Sequence, residues 1–221
     1  IRCMEDHLFN YKDLIDFTTA ILTKAGLHND RAIIVARTLV EADLMGHTTH
    51  GLQLLKPYVG ELEKGSMRKS GEPEVINDRG CAITWNGKYL PGPWLVHTAI
   101  DEALKRVREF PVVSVAIQRS HHIGCLAAYP ERATKKGLMM LLTCSDPRSK
   151  TIAPYGGLRP VYSPNPLAAG IPTETEPIIL DVSMSATANG LVMRSRKEGK
   201  KLPHQWLMDH RGNPTDDPEE F

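Results

Sequence analysis

Two short histidine-containing segments carry the residues best suited to chemistry. His47 and His50 lie between Gly46 and Gly51, and the second segment is Ser120-His121-His122-Ile123-Gly124. Histidine titrates closer to neutral pH than any other side chain and is therefore the usual proton carrier in enzymes. Flanking glycines let the backbone turn sharply and let a ligand approach closely. Both segments therefore predict places where a proton could be transferred.

Taken alone, the first segment is compatible with three roles. His47 and His50 could donate a proton to a carbonyl group under reduction, could bind a metal ion, or could hydrogen-bond the last carbonyl groups of a helix. Zinc would need a third ligand, which His121 or His122 could supply. However, the sequence has no H-E-x-x-H motif and no glutamate beside these histidines. We therefore predict no metal site. In the second segment, His121 could equally be a surface residue and His122 a packed one.

Helical periodicity surrounds the first histidine segment. Apolar residues at helical spacing predict three helices, over residues 11–25, 31–45 and 51–64. We expect Asn29 or Asp30 to cap the second helix. A hairpin over 74–85 follows, and helical spacing returns over 94–109.

The second histidine segment lies between a predicted strand and a predicted helix. Residues 111–117 are typical of a buried strand, 126–136 of a helix, and 138–143 of another strand. Together they predict a right-handed parallel βαβ unit. The unpaired N–H groups at the start of its helix would favour an anionic group. Later strands are predicted at 168–172 and 178–181, and a helix at 186–199.

Composition and charge exclude several classes of protein. Basic and acidic residues number 27 and 26, for a net charge of +1, which argues against a nucleic-acid or membrane-surface partner. No apolar run is long enough to span a membrane, and the first residues lack a signal-peptide pattern. The cysteines, which are Cys3, Cys81, Cys125 and Cys144, form no C-x-x-C pair. They are typical of thiols in a reducing compartment, so we predict a cytoplasmic protein.

Two polar residues in the second half are ambiguous by themselves. Asp181 follows a predicted strand and could hold a ribose, position a histidine, or only cap a turn. Asn165, between two prolines, could present its amide to a ligand or be an ordinary loop residue. No strand is followed by G-x-G-x-x-G, and no G-x-x-x-x-G-K-[ST] occurs, so a nucleotide would not bind through either glycine loop.

Taken together, these segments resemble one known family across nearly the whole chain. The matching motifs are Asp43–Gly51 with Tyr58 and Gly65; Ser120, His122 and Gly124; Pro154–Gly157; Asn165-Pro166 with Ile171-Pro172; Asp181–Ser185; and Trp206, Asp209, Gly212, Pro214, Thr215, Asp217 and Pro218. The sequence is similar to the type-2 malate/L-lactate dehydrogenases. That family includes ureidoglycolate and sulfolactate dehydrogenases, diketogulonate reductase and piperideine-carboxylate reductase.

The resemblance implies a fold and a reaction. The expected fold is the family's own α/β, non-Rossmann NAD(P)-binding arrangement: a helical N-terminal region over 1–70, then a mixed or parallel sheet with flanking helices over 71–221. The expected reaction is hydride transfer between NAD or NADP and a 2-hydroxy or 2-oxo acid. We expect a homodimer. The family continues well past Phe221, so we expect part of its fold to be missing.

The resemblance also implies site residues. His50 and His122 are the expected catalytic histidines, and His47, Thr49 and Arg119 are expected to contact substrate. The expected cofactor-binding residues are Ser120, Gly124, Ser145, Gly157, Asn165, Ile179, Leu180, Asp181, Val182, Ser183, Met184 and Ser185.

The sequence departs from the family pattern at three places. Leu54 stands where members often carry an arginine that can grip the substrate carboxylate. Either another basic residue, such as Lys56 or Arg119, does this work, or the substrate differs. Leu191 replaces a common lysine, and Ser163-Pro164 replaces glycine and threonine before Asn165. Two alternatives stay open: a non-catalytic, family-like oligomeric protein, and a metal-dependent hydrolase using His47, His50 and His122.

Overall fold

The computed structural model describes residues 8–221, which form two compact units, one up to Ala128 and the other Tyr129–Phe221. The predictions about Cys3 and the first residues of the chain lie outside the described residues. The predicted division at residue 70 differs from this boundary. The predicted division separates a histidine-bearing region from a cofactor-binding region, and this division of roles stays a prediction.

Three helices dominate the first part of the N-terminal unit. They are α1 (Tyr11–Lys24), α2 (Asn29–Leu44) and α3 (Leu55–Lys64). Their facing sides bury a shared core that includes Leu22, Leu39 and Leu62, all fully inaccessible to solvent. Burial of such side chains is the main force that holds short helices together. This core fixes the base of the loop that carries His50.

A small mixed sheet and a fourth helix complete the N-terminal unit. Strand β1 (Glu74–Asp78) pairs antiparallel with β2 (Ala82–Asn86), as the predicted hairpin requires. Strand β3 (Ser114–Gln118) lies parallel to β2. Helix α4 (Gly92–Arg106) makes the crossover between them.

The C-terminal unit is built on an antiparallel sheet. Strands β4 (Met140–Thr143), β5 (Leu167–Ile171) and β6 (Ile178–Val182) lie in that order. Helix α5 (Glu131–Thr134) packs against one face, where a side chain at Gly170 would collide with Pro130. Helix α6 (Asn189–Glu198) and the short pair β7 (Leu207–Met208) and β8 (Pro214–Thr215) follow.

The predicted parallel βαβ unit over 111–143 is wrong. Strand β3 belongs to the sheet of the N-terminal unit, whereas β4 pairs antiparallel in the other sheet. The predicted helix over 126–136 is a 3₁₀ turn, Leu126–Ala128, followed by the four-residue α5. Pro130 separates the two because it cannot donate a backbone hydrogen bond to the preceding turn. The parallel pairing does occur, but between β2 and β3.

Two local predictions at helix starts are also wrong. His28, not Asn29 or Asp30, occupies the N-cap of α2, and its side chain makes no cap hydrogen bond. The third helix begins at Leu55, since Thr48–His50 and Leu52–Leu54 form separate 3₁₀ turns. None of the helices among residues 8–221 combines the length and apolar character needed to cross a membrane.

Candidate active site

The loop that carries His50 is shaped by Asp43, near the end of α2. The Asp43 carboxylate accepts a hydrogen bond from the Leu52 N–H at 2.8 Å. It packs so tightly against Gly51 that any side chain there would collide with it. Burial raises the pKa of Asp43, although the Leu52 hydrogen bond opposes this shift. Asp43 thus sets the turn that begins directly after His50.

His50 ends the first 3₁₀ turn and is only partly buried. Its backbone N–H donates to the His47 carbonyl at 2.8 Å, which makes His47 the residue that opens the turn. Its ring Nδ1 lies 3.0 Å from the Thr49 hydroxyl. These contacts anchor the Nδ1 edge of the ring to its own turn.

His122 is held by a buried tyrosine of α3. The Tyr58 hydroxyl lies 2.8 Å from His122 Nδ1 and 3.2 Å from the His122 carbonyl oxygen. The Gly124 N–H donates to the same Nδ1 at 3.2 Å. Tyr58 is 2 % exposed, and its burial raises the pKa of the phenol, so it stays protonated. As a residue, His122 is exposed.

The structure brings the two predicted catalytic histidines together. The rings of His50 and His122 stack at 5.9 Å between centroids, with only 19° between their planes. Each ring has its Nδ1 engaged by a neighbouring group, Thr49 for one and Tyr58 with Gly124 for the other. The two rings thus present the same arrangement, with Nδ1 held by the chain's own groups.

His121 faces a different set of groups from His122. Its ring meets the edge of the Tyr58 ring at 6.1 Å, and its Nε2 lies 3.7 Å from a Glu61 carboxylate oxygen. Burial lowers the pKa of His121, and Glu61 only partly opposes the shift. Its Nδ1 is buried without a partner in the part of the chain that the structure describes. The His121 ring is therefore uncharged at neutral pH and packs against the Tyr58 ring.

The remaining predicted residues of this unit lie around the histidines. Ser120 donates its hydroxyl to the His121 carbonyl at 2.8 Å, and Gly124 adopts a left-handed conformation with φ of 73°. Arg119 also has a positive φ, 53°, and its carbonyl accepts the Tyr89 N–H. Its side chain is exposed, as are His47 and Lys56. Leu54 packs against the helical core, so position 54 contributes no charge.

Sequence reasoning did not assign Asp43 and Tyr58 to the site. Both belong to the motif that carried the resemblance, yet neither has a pattern that marks it as functional. A tyrosine eight residues beyond His50, on the apolar face of a helix, predicts only core packing. Its contact with His122 spans 64 residues. Only the folded chain reveals it.

In the C-terminal unit, one end of the antiparallel sheet gathers several predicted cofactor residues. The register aligns Thr143, Leu167 and Val182 across the three strands. Consequently the segments after β4, before β5 and after β6 meet there, which places Ser145, Asn165 and residues 183–185 at the same end. Residues Ile179 to Val182 form β6 itself. Gly157 lies apart, in a tight turn after Pro154.

Hydrogen bonds tie these three segments together. The Asp146 N–H donates to the Ser163 hydroxyl, which in turn donates to Asn165 Oδ1 at 2.7 Å. The Met184 N–H donates to the Pro164 carbonyl at 2.8 Å. Asn165 is held at φ of 44°, and its amide nitrogen faces the Met184 sulfur at 4.0 Å. Since a thioether is a weak acceptor, this amide is suited to donate to a ligand.

The same end of the sheet is acidic. Burial raises the pKa of the Cys144 thiol to about 11, and the nearby carboxylates of Asp181 and Asp146 add to this shift. Cys144 is therefore protonated at neutral pH and is not a nucleophile. The carboxylates are suited instead to accept hydrogen bonds from hydroxyl groups.

Fold and site together define an α/β protein with a pair of stacked histidines in one unit and a polar cluster at one end of the sheet in the other. The chain belongs to the malate/L-lactate dehydrogenase family, whose sequence model matches residues 9–221.

Individual relatives agree with this assignment. The chain is 30 % identical over 213 residues to (2R)-3-sulfolactate dehydrogenase (NADP(+)) of Chromohalobacter salexigens, covering 96 % of this chain and 63 % of that protein. It is 30 % identical over 199 residues to ureidoglycolate dehydrogenase (NAD(+)) of Escherichia coli O157:H7, covering 89 % and 56 %. A dehydrogenase structure from Sinorhizobium meliloti superposes with a TM-score of 0.90 at 28 % identity, covering 97 % and 62 %.

The chain thus spans about three fifths of the length of these relatives. The named relatives are all dehydrogenases, so neither a metal-dependent hydrolase nor a non-catalytic protein is favoured. The family assignment confirms the resemblance seen in the sequence.

Proposed function

We propose that this chain supplies the acid–base histidines of a dehydrogenase that moves a hydride between NAD or NADP and a 2-hydroxy or 2-oxo acid. The stacked His50–His122 pair, with Tyr58 behind His122, is the observation that carries the proposal. A 2-oxo acid that gains a hydride develops an alkoxide, which needs a nearby proton donor. Two stacked imidazole rings can meet this need.

The polar cluster in the C-terminal unit fits a nicotinamide dinucleotide chemically. Such a cofactor supplies or accepts the hydride, and it presents ribose hydroxyls, phosphates and a carboxamide for recognition. The Asn165 amide, Ser145, Ser183 and Ser185 offer donors, while Asp181 offers an acceptor. We propose that these residues bind it through the family's own non-Rossmann arrangement, which agrees with the lack of a glycine-rich fingerprint. Ser120, Gly124 and Gly157 stay proposed contacts.

The substrate carboxylate calls for a positive group. Leu54 offers none, so Lys56 and Arg119, both exposed in the histidine-bearing unit, are the proposed partners. His47 and Thr49 are proposed to line the substrate side. We further propose a cytoplasmic homodimer.

Replacement of each histidine tests the proposal. His50→Ala and His122→Ala should each lower the rate with pyruvate, oxaloacetate or a cyclic imino acid by about 10²- to 10⁴-fold, the usual contribution of a general acid. His210→Ala, which removes an exposed histidine of the C-terminal unit, is the control and should keep its rate. The assay follows nicotinamide absorbance in the full-length protein. Full activity in the His50/His122 double variant would refute the assignment.

A further inference from the structure

The hydrogen bonds around His122 decide which of its ring nitrogens carries the proton. The backbone N–H of Gly124 points at Nδ1 from 3.2 Å, and an amide N–H can only donate. If Nδ1 were protonated, its hydrogen and the Gly124 amide hydrogen would point at each other, and Nδ1 would have no lone pair to accept the hydrogen bond. The neutral ring that satisfies Gly124 therefore has a lone pair on Nδ1.

Tyr58 completes this arrangement. Its hydroxyl has one proton and two possible acceptors, His122 Nδ1 at 2.8 Å and the His122 carbonyl oxygen at 3.2 Å. With a lone pair on Nδ1, the shorter contact is favourable only if Tyr58 donates to it. Because burial raises the pKa of the Tyr58 phenol, the hydroxyl stays protonated at the mildly alkaline pH at which the neutral ring is observed.

We propose that Tyr58 is a positioning residue that, with the Gly124 N–H, holds neutral His122 in the tautomer protonated at Nε2. The Nε2–H of His122 is then the donor that this ring can offer to a substrate oxygen. A neutral imidazole in this state can donate a hydrogen bond, and then its proton, to a developing alkoxide.

The proposal extends the proposed function, but its main test needs neither cofactor nor turnover. The protein is labelled with ¹⁵N-histidine, and the ring nitrogens are observed by NMR at mildly alkaline pH. Loss of signals in His122→Gln identifies those of His122 among the nine histidines. We expect the wild-type His122 to show an unprotonated Nδ1 and a protonated Nε2.

The variant Tyr58→Phe removes the hydroxyl and keeps the buried ring. Its His122 signals should shift toward a mixture of the two tautomers, because Gly124 alone remains as donor to Nδ1. Tyr162→Phe is the matched control, since it also removes one hydroxyl hydrogen bond, to the Ala153 carbonyl, and should leave His122 unchanged. Circular dichroism verifies that each variant is folded. If Tyr58→Phe does not fold, the tautomer of wild-type His122 decides.

Two results would overturn the proposal: a wild-type His122 protonated at Nδ1, or a folded Tyr58→Phe protein whose His122 signals match the wild type. In the dehydrogenase assay, Tyr58→Phe should lower kcat roughly tenfold, as expected for one hydrogen bond, and KM should change little. An inactive wild type with the expected tautomer would refute the proposed function and leave the role of Tyr58 intact.

Discussion

At the scale of single residues, Asp43 shows how a partly buried charge shapes the site at a cost in stability. Its carboxylate accepts the Leu52 N–H and fills the space beside Gly51. Burial raises the pKa of this group in the folded protein above its ordinary value of 3.8. A raised carboxyl pKa means that folding favours the protonated form. The resulting stabilisation is complete below the unfolded pKa and is lost as the pH rises through the folded pKa.

We therefore expect Asp43→Asn to be more stable than the wild type at neutral pH. The asparagine oxygen still accepts the Leu52 N–H, and no charge is buried. The difference in free energy of unfolding should shrink as the pH falls to about 3.8 and below. Urea unfolding across this pH range measures it. Asp16→Asn, on the exposed side of α1, controls for the loss of one negative charge. A variant less stable than the wild type at neutral pH would contradict the prediction.

At the scale of secondary-structure elements, the start of helix α4 packs against the backbone of the second histidine segment. The helix begins at Gly92, where an added side chain would collide with the carbonyl oxygens of His121 and His122. The His121 N–H donates to the Leu90 carbonyl, just before the helix. The first turn of α4 therefore fixes the position of the His122 backbone.

The variant Gly92→Ala should lower the free energy of unfolding by about 1–3 kcal/mol, as overpacking usually does. It should also move the NMR signals of His122. Gly60→Ala is the control within α3, because an added Cβ there meets no atom within 4 Å. That substitution should raise stability by about 0.5–1 kcal/mol, the usual gain of alanine over glycine inside a helix. Equal stability of the two variants in thermal and urea unfolding would refute this role of Gly92.

These elements also show which parts of the fold can be predicted from the sequence alone. Periodicity predicts α1, α2, α4 and the β1–β2 hairpin, because each is a local pattern of apolar residues and turns. It does not predict that β3 and β4 lie in different sheets. Both segments are β-branched or apolar runs, and the choice of strand partner depends on contacts distant in the chain. Tyr58 was overlooked for the same reason: its hydrogen bond to His122 is absent from any local pattern.

At the scale of the whole molecule, the sheet of the C-terminal unit presents an apolar face to solvent. The register places alternate residues of its strands on one side, and helix α5 packs against the other. The exposed apolar side chains on the open side are those of Met139, Leu141, Ile171, Ile178, Leu180 and Val182. Sheets with only one face buried usually alternate apolar with polar residues, whereas these strands are apolar on both faces. Such a composition is typical of a sheet that is covered on both sides.

We expect this face to make the 221-residue chain associate with a second copy of itself, because burial of apolar surface stabilises contacts by about 25 cal/mol per Å². The wild type should sediment faster as its concentration rises and should bind an apolar fluorescent dye. The double variant Leu141→Thr/Leu180→Thr should reduce both effects while the strands persist, since threonine favours β-structure. Val112→Thr, which changes a side chain 76 % exposed outside the sheet, is the control and should change neither. A wild type that stays monomeric at every concentration and binds no dye would mean that this face does not drive association.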